Sequence, residues 1–560
     1  MSAASPRVLA LVILVLGTLL GGLVEPLSSA HWDSPIYLYQ AKRFAETDLA
    51  RSFATHSRTI AAQVSERSWP ESETFPASFW RFMRFGNIAI LGSLVSLADD
   101  PMTAMRVAGW GYALLLAAAA ALTFLAVCDL GTIFGVSDPR ALTIAGAASA
   151  FLYLLSPIYW YLSANFLSEI PALFFLSAAL FVFARAARTR SLVAGALAGV
   201  LVVALYAVRM DSALTALALM VPLMAALRLK APRYFSYGVT AATALTALLG
   251  FAAYSLYFYP LTDPRLVVAL RQVLADGPRA SGVTGYHAVF VAGGLLWIGA
   301  VMALVSRRSP TLTALGLVWL LLILLPRVRG LTGTIHARIL ADLMIPLSLL
   351  SAVGLSAVFS TRLSGITSAW RPSLIALVAV FVLALSLERP YEWLQELPGL
   401  WRLQHAREFV VPPRYERNDY RAGELGRIAA GIYGQGPGTI VLWDPAIPQE
   451  HLNVIRYLGP SYPPTADLAT APDPTDRRTC RPKDLSEGWH VEPALFCSAV
   501  APGFLERATA EGRRVIVLEP TQRQTTTTSP RDTPGLVRQE LATTTAIRAA
   551  ALVSPAGVIH

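Results

Sequence analysis

His31-Trp-Asp-Ser-Pro-Ile-Tyr-Leu-Tyr-Gln-Ala-Lys-Arg43 follows almost directly on an unbroken apolar run, Val8 to Val24. That run has the length and character of a membrane span. The stretch after it therefore begins at a membrane surface, on the side opposite the N-terminus. Ser34 and Pro35 suit a helix start, and Tyr37, Ala41 and Phe44 recur beyond them at helical spacing. Asp33 thus stands at the edge of hydrocarbon, at a helix entrance. A carboxylate in that place is costly unless it is solvated, paired or used.

Outward from this stretch the chain is dominated by further apolar runs. Of 560 residues, 54% are hydrophobic and 15% charged, and the mean hydropathy is +0.51. Soluble domains carry about 25% charge. The runs are long and continuous rather than short and alternating, so the fold class is a polytopic α-helical membrane protein, not a barrel. The net charge of +10 does not point to nucleic acid, because much of it lies in short loops between spans, where basic residues orient a membrane protein.

Arg7 before the first span places the N-terminus in the cytoplasm. A cleaved signal peptide, with Ser28 to Ala30 as its small-residue site, is the alternative, and Asp33 survives both. Residues 31–102 form a long first external loop with a polar middle, Arg51 to Glu73. An amphipathic stretch from Pro76 follows, mixes Arg81 and Arg84 with aromatics, and reads as a helix lying on the membrane surface. Spans are expected near 105–127, 141–156, 165–184, 192–208, 212–227, 235–258, 287–305, 311–325, 337–358 and 373–387. Pro157, Arg209 and Asp211 mark breaks between neighbours. With the first span this makes about eleven, an odd number that puts the C-terminus outside.

The loop charges agree with this topology. The cytoplasmic loops hold Arg185, Arg188 and Arg190, then Arg228, Lys230 and Arg233, then Arg307 and Arg308, then Arg362 and Arg371. One external loop breaks the pattern. Pro326-Arg-Val-Arg-Gly-Leu-Thr-Gly-Thr-Ile-His-Ala-Arg338 carries three arginines and a histidine on the wrong side for orientation, so another use is expected for it.

The composition changes near residue 390. Residues 1–390 read as the membrane domain and residues 391–560 as one external α/β domain. Gly438 to Asp444 and Arg513 to Glu519 suit buried strands, and Glu424 to Tyr433 and Phe504 to Glu511 suit helices. Thr521 to Pro534 is a polar loop or linker. Cys480 and Cys497 lie close together in this domain, where an oxidising compartment would permit a disulfide; free thiols are the alternative.

Four clusters have the chemistry of a site. Asp33 suits a general base that takes a proton from a hydroxyl, or a helix cap. Arg327, Arg329 and Arg338, with His336, suit a phosphate at headgroup level, because guanidinium presents a planar fork of donors; unspecific attraction to anionic lipid is the plainer reading. Glu169, at the outer end of a span beside Pro171, suits a cavity or a substrate hydroxyl, or an interhelix bond. Arg209 and Asp211 form a break between spans, either a local ion pair or part of the same external face as Asp33. No metal-ligand motif or nucleotide-binding motif is present, so no metal site is assigned, and divalent-metal dependence stays open.

These residues, in this order, resemble the GT-C superfamily of integral membrane glycosyltransferases, in the branch of the protein mannosyltransferases and the lipid A aminoarabinose transferase. The resemblance covers residues 1 to about 390. It rests on Asp33 with Tyr37, on the surface helix from Pro76 leading to Asp100-Pro-Met-Thr-Ala-Met-Arg106, on Leu167-Ser-Glu169-Ile-Pro-Ala-Leu-Phe-Phe, on Ala198-Gly-Val-Leu with Arg209, and on His336-Ala-Arg338-Ile-Leu-Ala-Asp-Leu-Met-Ile-Pro346. It implies a polyprenyl-phosphate sugar as donor, a glycan, lipid or protein acceptor, and a bacterial cytoplasmic membrane. Asp33 would be the catalytic base, Arg327, Arg329, His336 and Arg338 would hold the donor phosphate, and Tyr37, Glu169, Arg209 and Asp211 would line the substrate site. Many relatives carry an Asp-Glu pair where this chain has Asp33-Ser34, which leaves a second first-loop carboxylate unsupplied. Three other classes fit the same composition: a lipid-linked glycan ligase or polymerase using a diphosphate donor, a transporter of lipid or solute, and a non-enzymatic membrane scaffold.

Overall fold

The computed structural model describes residues 5–24, 26–27, 33–46, 85–258, 293–306, 309–328, 341–360, 422–436, 438–444, 446–447, 449–460, 479–482, 485, 494–521, 537–544 and 547–553. The chain divides into two compact units. The first comprises Met1–Ser29, Arg58–Asn87 and Gly109–Arg417, and the second Ala30–Ser57, Ile88–Ala108 and Asn418–His560.

Helices come first along the chain: α1 (Pro6–Gly22), α2 (Asp33–Glu46), α3 (Phe85–Val95), α4 (Pro101–Ile133), α5 (Pro139–Leu154), α6 (Pro157–Ser163), α7 (Glu169–Thr189), α8 (Leu192–Val208), α9 (Met210–Lys230), α10 (Tyr237–Phe258), α11 (Leu296–Ser306), α12 (Pro310–Val328) and α13 (Met344–Ser360). Their boundaries have local causes. Ser5 caps α1 through its side chain, Asp138 caps α5 and Ser191 caps α8, the first two with proline next in line. Asp100 accepts from Thr103 N at 2.8 Å and Thr103 Oγ1 at 2.7 Å, and these bonds hold its carboxyl below the usual range. They start α4 at Pro101, four residues before the expected span. Pro157 and Arg209 are breaks, as expected, whereas Asp211, also expected at a break, falls inside α9; the expected span 192–208 coincides with α8.

Among the described residues, five helices are long and apolar enough to cross a membrane: Pro101–Ile133, Glu169–Thr189, Ser212–Lys230, Tyr237–Tyr254 and Ala341–Ser360. Shorter apolar helices accompany them. The chain is a multi-pass membrane protein. The expected span at 373–387, the first part of the one at 287–305, the polar stretch 51–73 and the start of the surface helix at 76–84 lie outside the described residues.

Inside the first unit the helices pack through small residues, as bundles do where no hydrophobic drive separates helix from lipid. A Cβ on Gly199 of α8 would lie 2.5 Å from Thr243 O on α10. Thr243 Oγ1 fills the next gap along by donating to Gly195 O at 2.8 Å. Gly354 of α13 lies against Gly299 and Met302 of α11 in the same way. Polar bonds add register: Ser149 Oγ of α5 donates to Ser348 O of α13 at 3.0 Å, and Trp319 Nε1 of α12 donates to Leu219 O of α9 at 2.7 Å.

The second unit holds α2 and the C-terminal elements: α14 (Ala422–Tyr433), β1 (Thr439–Trp443), α15 (Gln449–Tyr457), β2 (Thr479–Cys480), β3 (Ala494–Cys497), β4 (Ala499–Val500), α16 (Phe504–Ala510), β5 (Val515–Pro520), β6 (Val537–Thr543) and β7 (Ile547–Val553). The five-stranded sheet runs β3-β1-β5-β7-β6. β1 is parallel to β3 and β5, and β7 is antiparallel to β5 and β6. Ile440, Leu442, Leu495, Val515 and Val517 pack with Phe504 and Ala508 of α16. β1 and β5 are the two strands expected from sequence. β3, β6 and β7 of this sheet are additional; Ile547-Arg-Ala-Ala-Ala-Leu-Val553 has little strand preference and is recruited by its pairing with β5.

Cys480 and Cys497 form a disulfide with Cα atoms 5.7 Å apart, across 17 residues. A loop of that length is worth about 3 kcal/mol. Replacing both cysteines by Ser is expected to lower the unfolding free energy of the C-terminal sheet by about that amount, read from amide exchange of β1, β3 and β5 under rising denaturant. Unchanged exchange would show that the sheet does not depend on the bridge.

Candidate active site

Asp33 is the first residue of α2 and is 6% exposed. Tyr37, one turn on, is 3% exposed and lies on the same helical face. Every side chain from Asp33 to Arg43 is buried, so α2 is enclosed all round rather than amphipathic. Its neighbours within the second unit are α3, where Gly92 lies against Phe44 and Ala41 O, and α15. The Arg456 guanidinium sits 5.7 Å from the Tyr39 ring and 4.5 Å from the Phe496 ring. Arg43 faces the Tyr39 ring at 5.7 Å. Lys42 Nζ donates to the carbonyls of Tyr457, Gly459 and Pro460. Burial pushes the Lys42 ammonium down to about 8, with Glu46 acting against the shift.

In the first unit Glu169 opens α7, where the helix dipole favours an acid, and Arg209 fills the extended break between α8 and α9. The two side chains form an ion pair, 4% and 7% exposed. Ser168 Oγ donates to Glu169 Oε2 at 3.3 Å. The two helix ends that carry these residues therefore meet at one end of the bundle. Further along α9, Thr215 Oγ1 donates to Asp342 Oδ2 at 3.0 Å, and both residues are buried. A buried ion pair and a buried hydrogen-bonded acid thus lie near helix ends of the bundle. Charged groups at such depth are costly unless paired or used.

The remaining expected site residues divide by position. Asp211 lies in the first turn of α9 and Arg327 in the last turn of α12. Arg329, His336 and Arg338 lie outside the described residues. Among the described residues no group of three or more His, Cys, Asp or Glu side chains is placed to hold a metal ion. Lys42, Thr215 and Asp342 were not among the expected site residues. The rule that singled out Glu169, a charge at the edge of a span, applies equally to Asp342 before α13. Lys42 carries no such signal, because its partners are more than 400 residues away.

No family model matches the chain, and no curated protein sequence does. Among solved structures, ArnT from Cupriavidus metallidurans in the apo state aligns with a TM-score of 0.51 at 12% identity, over 97% of each chain. The chain shares the fold of that structure. An oligosaccharyltransferase from Archaeoglobus fulgidus, also apo, aligns with a TM-score of 0.44 at 14% identity, over 91% of this chain and 69% of that one. The ArnT alignment extends over the C-terminal region as well, so the likeness in fold covers more than the 390 residues that carried the sequence resemblance.

Proposed function

We propose that this protein is a membrane glycosyltransferase that moves a sugar from a polyprenyl-phosphate donor to an acceptor hydroxyl at the outer face of a bacterial cytoplasmic membrane. The observation that carries the reading is the buried carboxylate of Asp33 at the head of the helix following the first apolar run. The fold shared with ArnT, an aminoarabinose transferase, supports it. The N-terminus is cytoplasmic and the C-terminal α/β domain extracytoplasmic, a compartment that suits the Cys480–Cys497 disulfide.

In this reading the acceptor oxygen attacks the anomeric carbon as its proton passes to Asp33. The bond to the lipid phosphate breaks, and the phosphate leaves with the electron pair. Arg327, Arg329, His336 and Arg338 stabilise the charge growing on it. A water-poor membrane edge strengthens that attraction. Tyr37, Glu169, Arg209 and Asp211 are assigned by this reading to binding the sugar and the acceptor, with the Glu169–Arg209 pair supplying a fixed dipole. A single displacement inverts the anomeric configuration.

The test is donor turnover by the purified protein in lipid nanodiscs, with polyprenyl-phosphate pentoses, hexoses and aminosugars and an envelope extract as acceptor. One donor is expected to be consumed, with release of free polyprenyl phosphate and a product of inverted configuration. A product of retained configuration would exclude single displacement. Consumption of a diphosphate donor alone would replace this reading with that of a ligase.

A further inference from the structure

The second unit contains a helix cap assembled from opposite ends of the chain. An ammonium has three N–H donors and no acceptor, and Lys42 spends all three. They go to Tyr457 O at 2.8 Å, Gly459 O at 2.5 Å and Pro460 O at 3.2 Å. These carbonyls lie at and just beyond the C-terminal end of α15, where the helix leaves carbonyls unpaired and its dipole is negative. The Nζ also lies 5.9 Å from the Tyr457 ring centroid. Lys42 on α2 therefore caps a helix 415 residues away.

The capped turn is itself held in place. Gly459 packs so closely on the Tyr433 ring of α14 that a Cβ there would lie 2.5 Å from it. Tyr457 Oη donates to Pro101 O, the first residue of α4, at 2.9 Å. Arg456, one residue before, is stacked between Tyr39 and Phe496. One turn of the C-terminal region thus receives α2 and grips the start of α4. Asp33 heads the same rigid helix, nine residues or about 13 Å from Lys42.

We propose that Lys42 is a positioning residue: by capping α15 it fixes the rotation and tilt of α2, so that the C-terminal region sets the direction in which Asp33 is presented. The catalytic apparatus then includes the C-terminal region as its anchor. This rests on the reading of Asp33 as the base.

The experiment compares full-length wild type, Lys42→Met and Lys42→Arg in nanodiscs by amide exchange, thermal midpoint and steady-state donor turnover. Lys42→Met keeps the apolar stem and removes every donor. Amide exchange of residues 33–46 is expected to speed by about tenfold, with exchange in α7 and α13 and the thermal midpoint of the bundle unchanged. Turnover should fall by about 100-fold, the scale of a misplaced catalytic group, with the donor KM held. Lys42→Arg, which restores charged donors, should recover most of both. If Lys42→Met does not fold, Lys42→Gln, which keeps an amide donor, is read with the same expected direction.

Exchange of α2 at the wild-type rate in the variant would overturn the proposal whatever the activity. Faster exchange with wild-type turnover would overturn its catalytic half. An Asp33→Asn control separates the two readings. If Asp33→Asn turns over normally, the base assignment fails, while the exchange data still decide whether Lys42 holds α2.

Discussion

Asp33→Asn is expected to lower donor turnover by about 10³-fold, the scale of a lost general base, with folding and donor binding intact. The substitution is chosen for what it preserves. Asn is nearly the same size and keeps a hydrogen-bonding oxygen at the helix entrance. The packing of α2, buried from Asp33 to Arg43, is therefore left alone. Only the ability to accept a proton disappears. Amide exchange across residues 33–46 should match wild type, and the donor KM should move little, because the lost interaction belongs to the transition state. The measurement is release of free polyprenyl phosphate under saturating donor. A variant as active as wild type would return Asp33 to the role of a helix cap. A variant that loses rate only together with α2 protection would show a structural effect. Asp33→Ala removes the favourable acid in the first turn as well, at about 0.3–1 kcal/mol, and so marks the size of the structural contribution alone.

The second large effect is expected at Glu169 and Arg209. Both side chains are almost fully withdrawn from the surface, 4% and 7% exposed. Attraction between buried charges offsets a desolvation cost of similar size, so the pair adds little net stability, yet losing one member strands the other. Arg209→Met alone is expected to cost about 3–5 kcal/mol, and Glu169→Leu alone a similar amount. The double variant, apolar at both positions, should recover most of that loss, giving a coupling energy well outside the error of a double-mutant cycle. The measurement is reversible unfolding of the full chain in mixed micelles. Additive single effects would mean that the two residues act separately. Turnover then tests the proposed role: a double variant that regains stability and stays inactive places the pair in the substrate site, whereas recovery of both makes it structural.

Much of the first unit was legible because the membrane imposes a coarse rule. A span must satisfy its backbone internally and bury or expose apolar side chains over its whole length. Continuous runs such as Leu192 to Val208 therefore announce themselves, and proline or a charge marks where they stop, as at Pro157 and Arg209. The buried strands β1 and β5 were legible for the same reason, being short apolar runs between turn residues. β7 was not, since Arg548, Ala549, Ala550 and Ala551 carry no strand signal and are held by their partners on β5. The start of α4 at residue 101 rather than 105 was not legible, because it depends on the Thr103 bonds to Asp100.

By itself the sequence determined that the chain is built of membrane spans, that a carboxylate stands at the entrance of a helix after the first of them, and that charges gather at helix ends and leave the apolar runs clear. Those properties are local. They depend on hydropathy, spacing and the preferences of single residues, all of which can be read along the chain. Only the tertiary structure decided that Arg209 meets Glu169, that Thr215 meets Asp342, and that Lys42 caps a helix at the far end of the chain. A salt bridge or a cap requires only a donor and an acceptor of suitable type, and the sequence offers many of each. Which ones meet depends on close approaches such as Gly199 on Thr243 and Gly354 on Gly299, and on the burial that makes an unmet partner too costly to leave.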